Sequence, residues 1–385
     1  MFINQRKMSC LRISSIPLLI GCTALGTLSA SAQTYQVEPY GTLPSGQKIN
    51  QYILKNANGI TVKFLNYGGI ITEISTPDKQ GVSKNIVLGF ENLNRYVAFN
   101  EGVHFGSIIG RYANRIAKGT FAVDGKTYHL EINNPPNTLH GGSHGFDSKV
   151  WAVTPYKVKN GVGAELVYVS PDGENGFPGT LTTSVRYILD DHNALHVQYK
   201  ANTDKPTIVN LTQHTYFNLA GEGSGSVENQ VIQIAASHYT PVDATMIPTG
   251  QVLAVDNTVF DLRKPTAIHK YIRSPVLSEA GGYDHNFVID RDGKNGLVFA
   301  ARVEDPQTGR VLEVSTTQPG LQFYTGNGLN GQLVGSSHKA YRQTDGFALE
   351  AEHFPDSPNH PNFPSTLLLP GQNYVQETVY RFFVQ

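Results

Sequence analysis

The chain has almost no cysteine, little charge of either sign and scarcely any helical patterning, and each shortage closes off a class of chemistry. Its two cysteines, Cys10 and Cys22, both fall within the first 32 residues. The remainder has no thiol for a disulfide framework, a thiolate metal site or a cysteine nucleophile. Charged side chains make up 16 % of the sequence and balance to −1, against roughly a quarter charged in an ordinary soluble domain. There is thus no basic footprint for nucleic acid and no acidic tail. Also missing are an H-E-x-x-H or H-x-H pair, a calcium-loop signature, the Walker and dinucleotide glycine patterns and a G-x-S-x-G elbow. These gaps predict no metal, no cofactor, no nucleic-acid partner and a ligand that need not be charged.

The first 32 residues stand apart. Arg6, Lys7 and Arg12 precede an apolar stretch, residues 13–28, followed by Ala30-Ser31-Ala32. That order reads as a secretory leader with an A-x-A cleavage site, too short and wrongly flanked for a stable membrane span. It predicts a mature chain beginning at Gln33, periplasmic or secreted. The rival outcome is a lipid anchor on Cys22, behind the lipobox-like Leu19-Ile20-Gly21.

What the chain does have is Gly 38, Pro 21, Tyr 19 and Phe 18, a composition that favours strands and turns over helices. Short alternating segments are punctuated by turn residues throughout. Asp124-Gly125 joins two of them in the strongest short hairpin signal available. Residues 190–193 join 181–189 to 195–201 as another hairpin, and Gln318-Pro319-Gly320 separates 311–316 from 321–324. Helical turns are expected only near 91–99 and 272–280. With no repeat and no linker, residues 33–385 predict one all-β domain, a large antiparallel β-sandwich whose loops at one face carry the function.

The segment 346–365, GFALEAEHFPDSPNHPNFPS, is the most unusual stretch. Glu350 and Glu352 sit at strand spacing among Phe347, Ala348, Leu349 and Ala351, and a loop stiffened by Pro355, Pro358, Pro361 and Pro364 follows. Carboxylates in apolar settings are either paired or used with a raised pKa. Five further clusters hold polar residues without an evident structural task. In 110–119, Arg111, Asn114 and Arg115 offer forks for hydroxyls or a carboxylate, one arginine being expected to hold the loop instead. In 137–147, His140 precedes paired glycines that permit close approach, and His144 is the lesser candidate. In 210–219, alternation puts Thr212, His214 and Tyr216 on one face, so His214 is either a proton donor or a satisfied core histidine. Asp284, beside Tyr283 and His285, either holds a hydroxyl or caps a turn. Gln322 shares a strand with Phe323 and Tyr324, a pairing suited to sugars. Two histidines, one or two carboxylates and several amide or guanidinium donors suit proton transfer on a neutral polyol.

Six of these segments together resemble the aldose 1-epimerases, the galactose mutarotases, in that family's order: GRYANRIAKGTF, NTLHGG, NLTQHTYFNLAG, GGYDHNF, TTQPGLQFYTGN and the 346–365 stretch. The likeness spans essentially everything after residue 37. It implies a large antiparallel β-sandwich with the sugar in an open cleft and no cofactor. It also implies Glu350 as general base, His214 as general acid and His140 as a helper at the ring oxygen, with Asn114, Arg115, Tyr216, Asp284 and Gln322 binding the aldose. Two positions depart from the family pattern: Glu352 replaces a neutral residue, and Thr215 stands where serine is common. Glu352 is therefore expected to turn outward through an irregularity before Pro355, or to pair with His353 or Arg115. Rival readings are a glycosidase using Asp284 and Glu350, a hexose-6-phosphate epimerase with more cationic residues at the cleft, and a non-catalytic sugar-binding sandwich. Monomer and homodimer both remain open.

Overall fold

The computed structural model describes residues 1, 2, 5 and 33–385. The expected leader, its cleavage site and both cysteines thus lie outside the described residues. Among the described residues no helix is long and apolar enough to cross a membrane.

Alternation along the long strands builds the main sheet. In Leu181–Asp190 every second side chain (Leu181, Thr183, Val185, Tyr187, Leu189) is buried, and the same period continues in its hairpin partner Ala194–Thr203. Among the described residues this sheet has nine strands, antiparallel throughout, running from Ala152–Val158 at one edge to Thr266–Ala267 at the other. The C-terminal strand Tyr374–Val384 lies in its middle, between Ala194–Thr203 and Arg310–Thr316. A second sheet, of six strands among the described residues, contains Tyr216–Phe217, Phe347–Glu352, Gly320–Tyr324 and Asp284–Val288 in adjacent order. Apolar faces of both sheets meet in one core that includes Leu166, Val185, Val197, Leu312, Phe323, Phe347 and Leu349. A third sheet, of five strands among the described residues, runs from Thr34–Thr42 through Ser83–Asn85 and completes the all-β architecture.

The Asp124-Gly125 hairpin forms between Thr120–Val123 and Lys126–His129. Residues 317–319 behave differently: they carry the chain from Arg310–Thr316 in the nine-stranded sheet to Gly320–Tyr324 in the six-stranded one. Gln318 anchors that crossing, buried, with its Nε2 donating to the Tyr374 hydroxyl at 3.0 Å. Gly320 is required there because a Cβ would stand 2.2 Å from Asn286 Oδ1. Among the described residues helix is confined to Leu93–Phe99, where Asn92 caps the Arg95 amide, and to short 3-10 turns. In 272–280 that amounts to Pro275–Leu277.

Phe347–Glu352 is buried on both faces. Phe347, Leu349 and Ala351 enter the core, and burying Phe347 and Leu349 stabilises the strand by about 1.5–3 kcal/mol each. Alternation therefore turns Glu350 and Glu352 together to the opposite face. Cross-strand register sets Gln322 opposite Glu350, and Tyr324 opposite Ala348 and Asp284. The core thus fixes which side chains reach the cleft.

Candidate active site

Four separate elements converge on that face. A two-stranded ribbon pairs Arg115–Ile116 with Thr138–Leu139 and sets Asn114 against His140 in a reciprocal pair. The His140 amide donates to the Asn114 carbonyl at 3.0 Å, and the Asn114 amide donates to His140 Nδ1 at 3.1 Å. A second ribbon pairs Thr212–His214 with Ser107–Ile109, placing His214 beside the turn that carries His104. His214 Nε2 lies 3.5 Å from Glu350 Oε2. Arg115, Asp284, Tyr216 and Tyr324 close the remaining walls. Below them, Gln322 Nε2 donates to Asp284 Oδ1 at 2.6 Å, and Asp284 Oδ2 is 3.4 Å from Arg115 Nη2.

Backbone strain gathers here too. His104, Asn114 and His140 have φ of 56°, 61° and 52°, in the left-handed region. It costs a non-glycine residue about 1–3 kcal/mol unless the surroundings impose it, asparagine least. Gly141, at φ 85°, could not bear a side chain, since its Cβ would meet the Gly110 carbonyl at 2.3 Å. The close approach expected beside His140 is therefore made by backbone.

The aldose 1-epimerase family model matches residues 50–381. The galactose mutarotase of Rattus norvegicus is 46 % identical over 345 residues, covering 90 % of this chain and 97 % of that one. The chain belongs to the aldose 1-epimerase family. The aldose 1-epimerase of Escherichia coli strain K12 is 37 % identical, with 89 % and 97 % covered. In three dimensions, the galactose 1-epimerase of Lactobacillus acidophilus NCFM superposes with a TM-score of 0.80 at 29 % identity, covering 92 % and 99 %.

In this family member the cleft holds its ionisable groups away from their ordinary charge states. Burial raises the Glu350 carboxyl well above the usual range; Glu352 and Asp284 add to the rise and Arg115 opposes it. Burial and neighbouring His104 push His214 down to about 3. Burial, then His104, His214 and Arg115, lowers His140 well below its ordinary value. Both shifts favour the neutral forms, a protonated Glu350 facing a neutral His214.

Ligand atoms of His140, His214 and Glu350 lie within 4.8 Å of one another, a spacing that invites a metal reading. The hydrogen bonds around the two imidazoles do not fit one. A metal-bound histidine donates its other ring N–H to an acceptor. Here the Asn114 amide donates into His140 Nδ1, which forces the ring proton onto Nε2. His214 Nδ1, buried, has no hydrogen-bond partner among the described residues. Arranged this way the imidazoles are hydrogen-bonding and proton-carrying groups.

Several expectations need correction. Glu352 does not turn outward; it is wholly buried, in regular register opposite Gly320. Nor does it pair with His353 or Arg115: the Asn114 side-chain amide donates to its Oε1 at 2.9 Å. One good hydrogen bond to a side chain remote in sequence replaces the cation that local reasoning demanded. Asn114 thereby serves Glu352 and Arg115, whose backbone amide binds its Oδ1 at 2.9 Å. Arg111 is the loop-holding arginine, bonded to Ser170 and to the carbonyls of Pro171 and Pro178. Thr212 is spent on the Ala351 carbonyl, and His144 is exposed, away from the cleft. Gln322 is buried under Asp284, its Oε1 without a protein partner. Two wall residues escaped the sequence: His104, which lies in no turn or motif signature, and Tyr324, noted only as an aromatic neighbour.

Burial raises Glu352 from 4.5 to about 8, with the Asn114 amide opposing. A carboxyl with a raised folded pKa contributes stability that is full below its unfolded value and is lost as pH rises through the folded one. Glu352→Gln removes that loss while keeping an oxygen for Asn114. In thermal melts it is expected to exceed wild type near pH 9, by a margin that shrinks toward about pH 5. A margin independent of pH would mean that Glu352 ionises normally.

Proposed function

We propose that the cleft opens and recloses the pyranose ring of free hexoses, interconverting α and β anomers, with Glu350 as base and His214 as acid. The observation that carries this reading is the 3.5 Å between His214 Nε2 and Glu350 Oε2. The two oxygens that exchange protons in mutarotation, the anomeric hydroxyl and the ring oxygen, are both bonded to C1, so acid and base must be near neighbours. Glycosidases instead need two carboxyl groups about 5–9.5 Å apart flanking the scissile bond, and here Asp284 is already engaged by Gln322 and Arg115. Arg115 is the one guanidinium or ammonium lining the cleft among the described residues, which favours an uncharged sugar over a sugar phosphate.

Glu350 takes the proton from the anomeric hydroxyl while His214 gives one to the ring oxygen. The C1–O5 bond breaks and C1=O1 forms. After rotation about C1–C2, the same two transfers run backward and give the other anomer. The ring nitrogen and the carboxylate end with the protons they began with, so each turnover exchanges none with solvent. Because burial favours the proton on Glu350, the carboxylate base forms as that proton moves to His214. The Arg115 charge and hydrogen bonds from the sugar's own hydroxyls to the carboxylate favour that shift. His140 donates from Nε2, and Asn114, Arg115, Tyr216, Asp284 and Gln322 hold the hydroxyls directly or through one another. Polarimetry on freshly dissolved α-D-glucose and α-D-galactose, with a chelator present, tests the reading. Rotation should relax far faster than the buffer blank. Activity that chelation abolishes and zinc restores would sink the metal-free mechanism, and release of a chromophore from an aryl glycoside would favour the glycosidase.

We also propose that residues 1–32 are an export leader removed after Ala32, leaving one catalytic domain that is periplasmic or secreted. The support is the order of basic, apolar and small residues at the N-terminus. N-terminal sequencing of the exported protein should begin at Gln33. A diacylated Cys22 in the membrane fraction would overturn it.

A further inference from the structure

The reaction as derived leaves one histidine of the cleft wall without a task. His104 lines the cleft in a left-handed backbone conformation, on the turn before Ser107–Ile109. Its ring packs edge-on to His140, with centroids 4.8 Å apart, and tilted against His214 at 5.8 Å. His104 Nδ1 lies 2.9 Å from Asp147 Oδ2, both side chains buried. A carboxylate accepts hydrogen bonds, so Nδ1 donates to Asp147, and in the neutral ring Nε2 is left as the acceptor. Among the described residues Nε2 has no protein partner, and it is not one of the buried atoms sealed from solvent. His140 has the opposite tautomer, because the Asn114 amide donates into its Nδ1. Neighbouring rings thus present a fixed acceptor and a fixed donor to the same cleft.

We infer that His104, held by Asp147, is a substrate-positioning and specificity-determining residue, whose Nε2 accepts a hydrogen bond from one hydroxyl of the pyranose. A sugar hydroxyl both donates and accepts, so the donors of the wall, Arg115 and the His140 Nε2–H, need acceptors beside them. Asp284 supplies one acceptor, but Gln322 and Arg115 already share it. His104 Nε2 supplies another on the same cleft wall. The strained turn is then the means of holding an acceptor at that spot, since an extended residue at position 104 would aim its side chain elsewhere.

This inference rests on the aldose reading of the cleft, and the test separates the two. Steady-state mutarotation is measured for wild type, His104→Phe and His104→Gln on D-glucose and its 2-, 3-, 4- and 6-deoxy analogues. Phenylalanine keeps the ring and loses the acceptor; glutamine can place an amide oxygen near the Nε2 position. His104→Phe should raise KM for D-glucose about tenfold, the usual share of one lost hydrogen bond, with kcat little changed. His104→Gln should recover most of that loss. For one deoxy sugar alone, wild type and His104→Phe should have the same KM, because the hydroxyl that His104 binds is already gone. A penalty uniform across every deoxy sugar would show a merely structural residue and overturn the inference. So would a fall in kcat at unchanged KM, which would put His104 in proton transfer. Wild type inert on every free aldose would instead overturn the aldose reading, and this inference with it.

Discussion

Glu350→Gln is expected to lose about 10²–10⁴-fold in turnover, the share of a general base, while the sugar still binds. Gln preserves shape and hydrogen-bonding atoms, and it removes a carboxyl whose ionisation burial already disfavours. The folded protein should therefore be no less stable, which separates lost chemistry from lost structure. Binding should change little, because Asp284, Arg115 and the histidines that grip the hydroxyls are untouched. Polarimetry gives the rate and calorimetric titration gives the affinity. Glu352→Gln is the control, since it sits on the same face two residues on and is held by the Asn114 amide. It should keep most of the rate. Equal losses in both variants would show that the two carboxyls act as one coupled pair, and a greater loss at Glu352 would overturn the assignment of the base.

Local chemistry was legible in the sequence; long-range satisfaction was not. Asp124-Gly125 specifies its hairpin within a few residues, and alternation in 347–352 correctly sends Phe347 and Leu349 to the core and both glutamates to the other side. The error over Glu352 arose because a buried carboxyl demands a partner, and the partner stands 238 residues earlier, at Asn114. Periodicity cannot see that distance. The turn at Pro319 is of the same kind: its residues mark a reversal, but only the buried Gln318–Tyr374 bond decides that the chain changes sheets there. Arg111 and Arg115 look alike in sequence, and what separates them is the carbonyl cage of 170, 171 and 178 around the first. The pairing of His214 with Glu350 came from family likeness, since no spacing rule joins residues on ribbons of different sheets. His104 had no signal at all, because its role depends on a backbone conformation and on Asp147 across a loop.

His214→Asn is expected to cut turnover by about two orders of magnitude or more, with KM changed little. An amide can still donate a hydrogen bond toward the ring oxygen, so ground-state binding survives. It cannot take a proton from Glu350, nor hand one to the oxygen as C1–O5 breaks. The cycle then lacks its second proton site, and only slow donation by water remains. His140→Asn should show the opposite split. The Asn114 amide fixes the His140 proton on Nε2, and burial keeps the ring neutral, so His140 serves as a hydrogen-bond donor without ionising. The shorter amide loses reach, which weakens binding in ground and transition states alike; KM should rise and kcat should fall only modestly. Both rates and both KM values come from the same polarimetric series. If His140→Asn proves the graver loss in kcat and His214→Asn the graver in KM, the acid is His140, and the 3.5 Å contact between His214 and Glu350 serves to position the base.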